Sequence, residues 1–123
     1  MKNSRPTATI RITDLTAQTF IGTNDWEKKQ RQDIVINIAL RYDAGKAIRT
    51  DALENALDYK ALKQKILHFL EDHHCGLLEK LVDQIIGLIM EDRRILSAAV
   101  RIDKPSALRF TKTVSVEMER SRK

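Results

Sequence analysis

The sequence predicts an α+β domain: two strands, two helices and two more strands, with one antiparallel sheet carrying both helices on its apolar face. Three observations carry that reading. Apolar and polar residues alternate with period two at 7–20 and 33–42. Apolar residues then recur at helical spacing from 58 to about 72 and from about 77 to 90. Alternation returns at 97–103 and 113–119.

The first strand turns Ala8, Ile10 and Ile12 one way and Thr9, Arg11 and Thr13 the other. Phe20 to Asp25 ends it with glycine and Asn/Asp turn chemistry. Trp26 to Gln32 is a polar connection. In the second strand Ile34, Ile36, Ile38 and Leu40 alternate with Val35, Asn37, Ala39 and Arg41. Residues 43–56 read as a long loop with short helical pieces, because charges and Gly45 interrupt any period.

Asp58 is the candidate N-cap of the first long helix, which buries Leu62, Ile66, Phe69 and Leu70. The second buries Leu78, Leu81, Val82, Ile85, Leu88 and Ile89. The third strand points Ala98, Val100 and Ile102 inward and stops at Pro105, which lacks a ladder donor. The fourth points Val114, Val116 and Met118 inward. The opposite sheet face would show Arg11, Asn37, Arg41, Arg101 and Glu117. Such a polar face can line the inside of a ring of subunits, and pairing between neighbours would cover the sheet edges.

At 123 residues the chain makes one domain, 1–123, with flexible ends expected at 1–6 and 120–123. No apolar run reaches the roughly 20 residues of a membrane span, and the N-terminus has no secretory apolar segment. A single cysteine, Cys75, fits a reducing cytoplasm. The net charge of +5 suits an anionic partner, although the basic residues are scattered. Aromatic residues are too sparse, at 5%, for a base-stacking platform.

With four glycines there is no nucleotide-binding loop and no nucleophile elbow. His73-His74-Cys75 invites a metal reading. Neighbouring residues on one backbone point apart, however, and His68 is the one other histidine, so no metal and no cofactor is assigned. What remains is four groups at element ends: Glu27, Tyr59, Glu79 and Lys104. Glu79, in the first turn of the second helix, faces unpaired amides and a positive dipole end. A carboxylate there can serve its own helix or grip a flat, donor-rich ring. Together the four would supply a ring anchor, a hydroxyl binder and two proton-transfer groups.

Phe20-Ile21-Gly22, Arg31 to Asn37, Ala56-Leu57-Asp58-Tyr59, Leu77-Leu78-Glu79-Lys80-Leu81 and Ile102-Asp103-Lys104 resemble the dihydroneopterin aldolase superfamily over about Ala8 to Glu119. Thr19 to Gly22, the Arg31 block and Ala107-Leu108-Arg109 resemble its dihydroneopterin triphosphate 2′-epimerase branch. The resemblance implies the tunnelling fold, in which subunits join edge to edge into a barrel. It also implies a homo-octamer of two tetrameric rings with sites between subunits. Glu79 would then anchor the pterin, with the backbone at Leu78 and Leu57 meeting other ring edges. Lys104 would be the general acid/base, Tyr59 would reach over from a neighbour to the side-chain hydroxyl proton, and Glu27 would orient the hydroxyls.

The activity implied is inversion at C2′ of dihydroneopterin triphosphate, or aldolase cleavage releasing glycolaldehyde. Where aldolases carry His-Gly and Gly-Gln, this chain has Ile21-Gly22 and Arg31-Gln32. Arg31, with Lys28 or Lys29, is accordingly a candidate for the triphosphate, since a guanidinium suits phosphate geometry. The competing non-enzymatic reading is a small basic nucleic-acid-binding domain, with salt-sensitive binding that is independent of Glu79.

Overall fold

The computed structural model describes residues 6–122, so the expected loose ends at 1–5 and Lys123 lie outside the described residues. The order is β1 (Thr7–Ile21), β2 (Gln32–Asp43), α1 (Gly45–Thr50), a 3-10 turn (Leu53–Asn55) and α2 (Tyr59–Leu70). It continues with β3 (His74–Cys75), α3 (Leu78–Met90), β4 (Ile95–Pro105) and β5 (Thr113–Ser121). The strands lie side by side as β3-β1-β2-β4-β5.

Four strands form the expected antiparallel sheet, but the whole sheet is mixed. β3 pairs parallel to β1, matching Phe20 with His74 and Ile21 with Cys75. A two-residue strand carries no periodic signal. It forms because Gly22 N–H donates to the Cys75 carbonyl at 2.9 Å.

The inner face of the sheet and the apolar stripes of α2 and α3 make one core. Ile34, Ile36, Leu40, Val100 and Ile102 meet Ile66 and Leu70 of α2 and Leu81, Ile85 and Ile89 of α3, all almost fully buried. Asp58 caps α2 as the sequence indicates, its Oδ1 accepting from Ala61 N–H at 3.0 Å. Phe69 is only partly buried, at the margin of that core.

β1 stays in register with its own pattern through a bulge. Pairing with β2 shifts between Ile12 and Leu15, so the inward set passes from Ala8, Ile10 and Ile12 to Leu15, Ala17, Thr19 and Ile21. Asp14 takes φ 55, and its N–H donates to Asn37 Oδ1 at 2.9 Å while Asn37 Nδ2 donates to Asp14 Oδ1 at 3.2 Å. The bulge therefore spends the extra residue that alternation would otherwise turn against the core.

One expectation is corrected. In β5 only Val116 packs on the core, and Met118 is 37% exposed, because this outermost strand is covered in part. The chain end is tied down through Arg122: its N–H donates to the Leu96 carbonyl, Nη2 to the Met90 carbonyl and Nε to the Ile95 carbonyl. Pro6 is likewise held, its carbonyl accepting from Ala44 N–H. The polar outer face is as expected, with Arg11, Asn37, Arg101 and Glu117 around one shallow hollow.

Candidate active site

The end of β1, the turn after it and β3 enclose a cleft of about 330 Å³. It is lined by Phe20, Gly22, Thr23, Glu27, Lys28, His74, Cys75 and Gly76. Glu27 in its wall is paired with a residue 77 positions away: Lys104 Nζ donates to Glu27 Oε2 at 2.6 Å. Both are withdrawn from water, with side chains 6% and 15% exposed for Glu27 and Lys104.

Local structure brings them together. The turn after β1 folds Glu27 back, its N–H donating to the Asn24 carbonyl, while its Oε1 accepts from Asn24 N–H at 3.1 Å. Gln32, the first residue of β2, donates through Nε2 to Glu27 Oε2 at 3.3 Å and also to the Ile21 carbonyl. β4 runs past the expected end at Asp103 to Pro105 and so delivers Lys104 to the same spot. The Lys104 hydrogen bond holds the Glu27 carboxyl below its ordinary range; burial opposes this, and the Asn24 amide, Gln32 and the charge of Lys104 add to it. Glu27 is therefore an anion at neutral pH, set to receive donors rather than to give a proton.

Of the sequence-predicted site residues, this chain brings Glu27 and Lys104 together. Glu79 is exposed in the first turn of α3 and has no hydrogen-bond or ion-pair partner among the described residues. Leu77 supplies no side-chain cap there, so first-turn amides and a free carboxylate stand side by side three residues beyond Gly76. Leu78 belongs to the core, and any contact it makes with a ligand falls to its backbone.

Leu57 and Tyr59 lie apart from the cleft. Leu57 is buried beside a separate groove with Asp58, Leu62, Ile89 and Arg94, whereas Tyr59 is 56% exposed. Arg94 holds that segment, donating through Nη1 to the Ala56 carbonyl at 2.8 Å while Nη2 and Nε bond the Asp92 carboxylate. Arg31 is turned to the end of α2. Its Nη2 donates to the Glu71 carbonyl at 2.6 Å and to Asp72 Oδ1 at 3.2 Å, and its guanidinium lies over the Phe20 ring.

Sequence reasoning did not single out Asn24 and Gln32 as site residues, nor Phe20 and His74, whose rings stack at 4.1 Å with 4° between planes. The adjacent His73 bonds Gln84 Oε1 instead, and Cys75 Sγ is buried against the Leu77 carbonyl. The turn residues between a Gly and a Gln were the available signal for the first two.

Comparison with known proteins gives the family. The family model for dihydroneopterin aldolase, FolB, matches residues 10–119. The chain is 37% identical to dihydroneopterin triphosphate 2′-epimerase of Pseudomonas aeruginosa over 111 residues, covering 90% of each chain. It is also 37% identical to the Escherichia coli K12 enzyme of that name, covering 94% of this chain and 96% of the other. Dihydroneopterin aldolase of Haemophilus influenzae is 26% identical, covering 85% and 89%. A Vibrio cholerae protein provisionally assigned as dihydroneopterin aldolase superposes with a TM-score of 0.88 at 30% identity, covering 94% and 98%. Escherichia coli dihydroneopterin aldolase in complex with neopterin shares the fold, with a TM-score of 0.87 at 24% identity, covering 93% and 99%. Over nearly its whole length, then, this chain belongs to the dihydroneopterin aldolase family of pterin enzymes.

Proposed function

We propose that this protein inverts C2′ of dihydroneopterin triphosphate, giving dihydromonapterin triphosphate by a retro-aldol and re-addition sequence. The observation that carries it is the pairing of Lys104 with the cleft residue Glu27, in a chain 37% identical to epimerases and 26% to an aldolase. Removal of the 2′-hydroxyl proton, assigned to Tyr59, lets the C1′–C2′ bond break. The bonding pair passes to C1′ and into the pterin ring, and C2′ leaves as an aldehyde.

Lys104 gives and later recovers a proton at the ring, with Glu27 holding the ammonium and the side-chain hydroxyls in place. Re-addition of C1′ to the other aldehyde face restores every bond with C2′ inverted. The ring itself accepts the electrons, so the sequence needs neither a metal nor a Schiff base. Glu79 anchors the amino group and adjacent N–H of the ring by paired charge-assisted bonds, with backbone contacts from Leu78 and Leu57. Arg31 spends its Nε and Nη2 on the end of α2, so its part in binding the triphosphate is that of a nearby positive charge.

The assembled enzyme is a homo-octamer of two edge-paired rings working in the cytoplasm. Three features support shared sites. Beyond Phe20–Ile21 the outer edge of β1 has no ladder partner among the described residues, and β5 is the opposite edge. Tyr59 is exposed and has no contact with Lys104, and Glu79 has no side-chain partner, among the described residues.

The test is to incubate the protein with dihydroneopterin triphosphate and with dihydroneopterin, and to separate the products by chromatography. The 2′-diastereomer should dominate with the triphosphate. Cleavage to 6-hydroxymethyl-dihydropterin as the main outcome would make the protein an aldolase, and no reaction with either substrate would remove the reading.

A further inference from the structure

We propose that His74 and Lys28, which both line the cleft, are the hydrogen-bonding contacts for the substrate's triphosphate; the assignment rests on the reading above. The cleft that holds Glu27 is lined by both residues, so phosphates of a substrate held at Glu27 would share that cleft with them. The Lys28 ammonium and the His74 ring nitrogens have no side-chain partner among the described residues. Two other cations at this end are engaged, Lys104 by Glu27 and Arg31 by the Glu71 carbonyl and Asp72.

His74 is also held in place rather than loose. Its ring is stacked on one face of Phe20, and the Arg31 guanidinium lies 5.0 Å from the centroid of that same ring. Arg31 thereby fixes Phe20 and the end of α2, while β3 pairing fixes the His74 backbone. Arg31 is a positioning residue in this scheme, and the imidazole it helps to set offers a ring N–H to the cleft. Gly22 and Gly76 line the same cleft. The basic residue singled out by the sequence is thus the support, and the contact passes to a histidine.

The experiment uses the full oligomer and the variants His74→Ala, Lys28→Ala and their double. The ratio of kcat/KM for dihydroneopterin triphosphate over dihydroneopterin should fall about 10-fold or more in each single variant, the range of one charge-assisted hydrogen bond. Calorimetry with inorganic tripolyphosphate should show binding to the natural protein that weakens by the same factor in each variant. An unchanged ratio, or tripolyphosphate binding equally to all four proteins, would overturn the assignment. If the natural protein turned over neither pterin, the proposed reaction would fall. Tripolyphosphate binding lost in the variants would still uphold the site, and its absence from the natural protein would remove it.

Discussion

Gly22 lies directly over the carboxylate of Glu27: a Cβ built on it would fall 2.1 Å from the Glu27 carboxyl carbon and within 2.4 Å of both oxygens. Its φ of +131 is also one that side chains avoid. Gly22→Ala should therefore destabilise the protein by more than about 1 kcal/mol, from the backbone alone, and displace Glu27. A drop in urea midpoint together with loss of turnover is the expected pair of readings. Unchanged activity would mean that Glu27 can leave its place without consequence.

Lys104 and Glu27 are buried partners, so removing one should cost more than removing both. Lys104→Met leaves a carboxylate out of water with only neutral donors, a loss of about 3–5 kcal/mol. The double variant Glu27→Leu with Lys104→Met should be more stable than Lys104→Met alone, and still inactive. Urea unfolding of the natural protein and the three variants measures the coupling. Strict additivity would show that the pair has no energetic link.

Glu27 also shapes the acid limb of stability. Its folded pKa is depressed, chiefly by the Lys104 hydrogen bond. Its contribution is therefore complete above the unfolded carboxyl value of about 4.3 and is lost as pH falls through the lower folded value. The natural protein should lose more stability than Glu27→Gln as pH drops from about 5 towards 2. Parallel curves for the two proteins would contradict the assignment.

Tyr59 has a hydroxyl with no partner among the described residues. Tyr59→Phe should lower kcat by about 10²-fold, the scale of one proton-transfer group, without moving the melting temperature. Glu79→Ala should fail for a different reason, by weakened pterin binding. Unfolding the two variants together and refolding them as mixed oligomers should restore activity that neither has alone, because some sites would then draw Glu79 and Tyr59 from different chains. Mixed oligomers as inactive as their parents would place both groups in one subunit's site.

Arg122 closes the C-terminal end of α3 by donating to the Met90, Asp92 and Ile95 carbonyls. Arg122→Ala should cost about 1–3 kcal/mol, since these carbonyls are partly buried and lose a charged donor. Thermal unfolding measures it, and a change within error would return the tail to the loose end that its composition suggests.

The residues themselves determine the larger elements. Period-two alternation in β2 and β4, helical spacing in α2 and α3, and the Asp58 cap all arise from contacts a few residues apart, so they are legible along the chain. Motif likeness also names Glu27 and Lys104. Tertiary structure decides what depends on distant partners: the two-residue β3, the bulge held by Asn37, the docking of Arg122 and the turning of Arg31 away from the cleft. Each of these is a hydrogen bond or stacking contact between residues far apart in sequence. No local pattern records which carbonyl or ring will be waiting when the chain closes on itself.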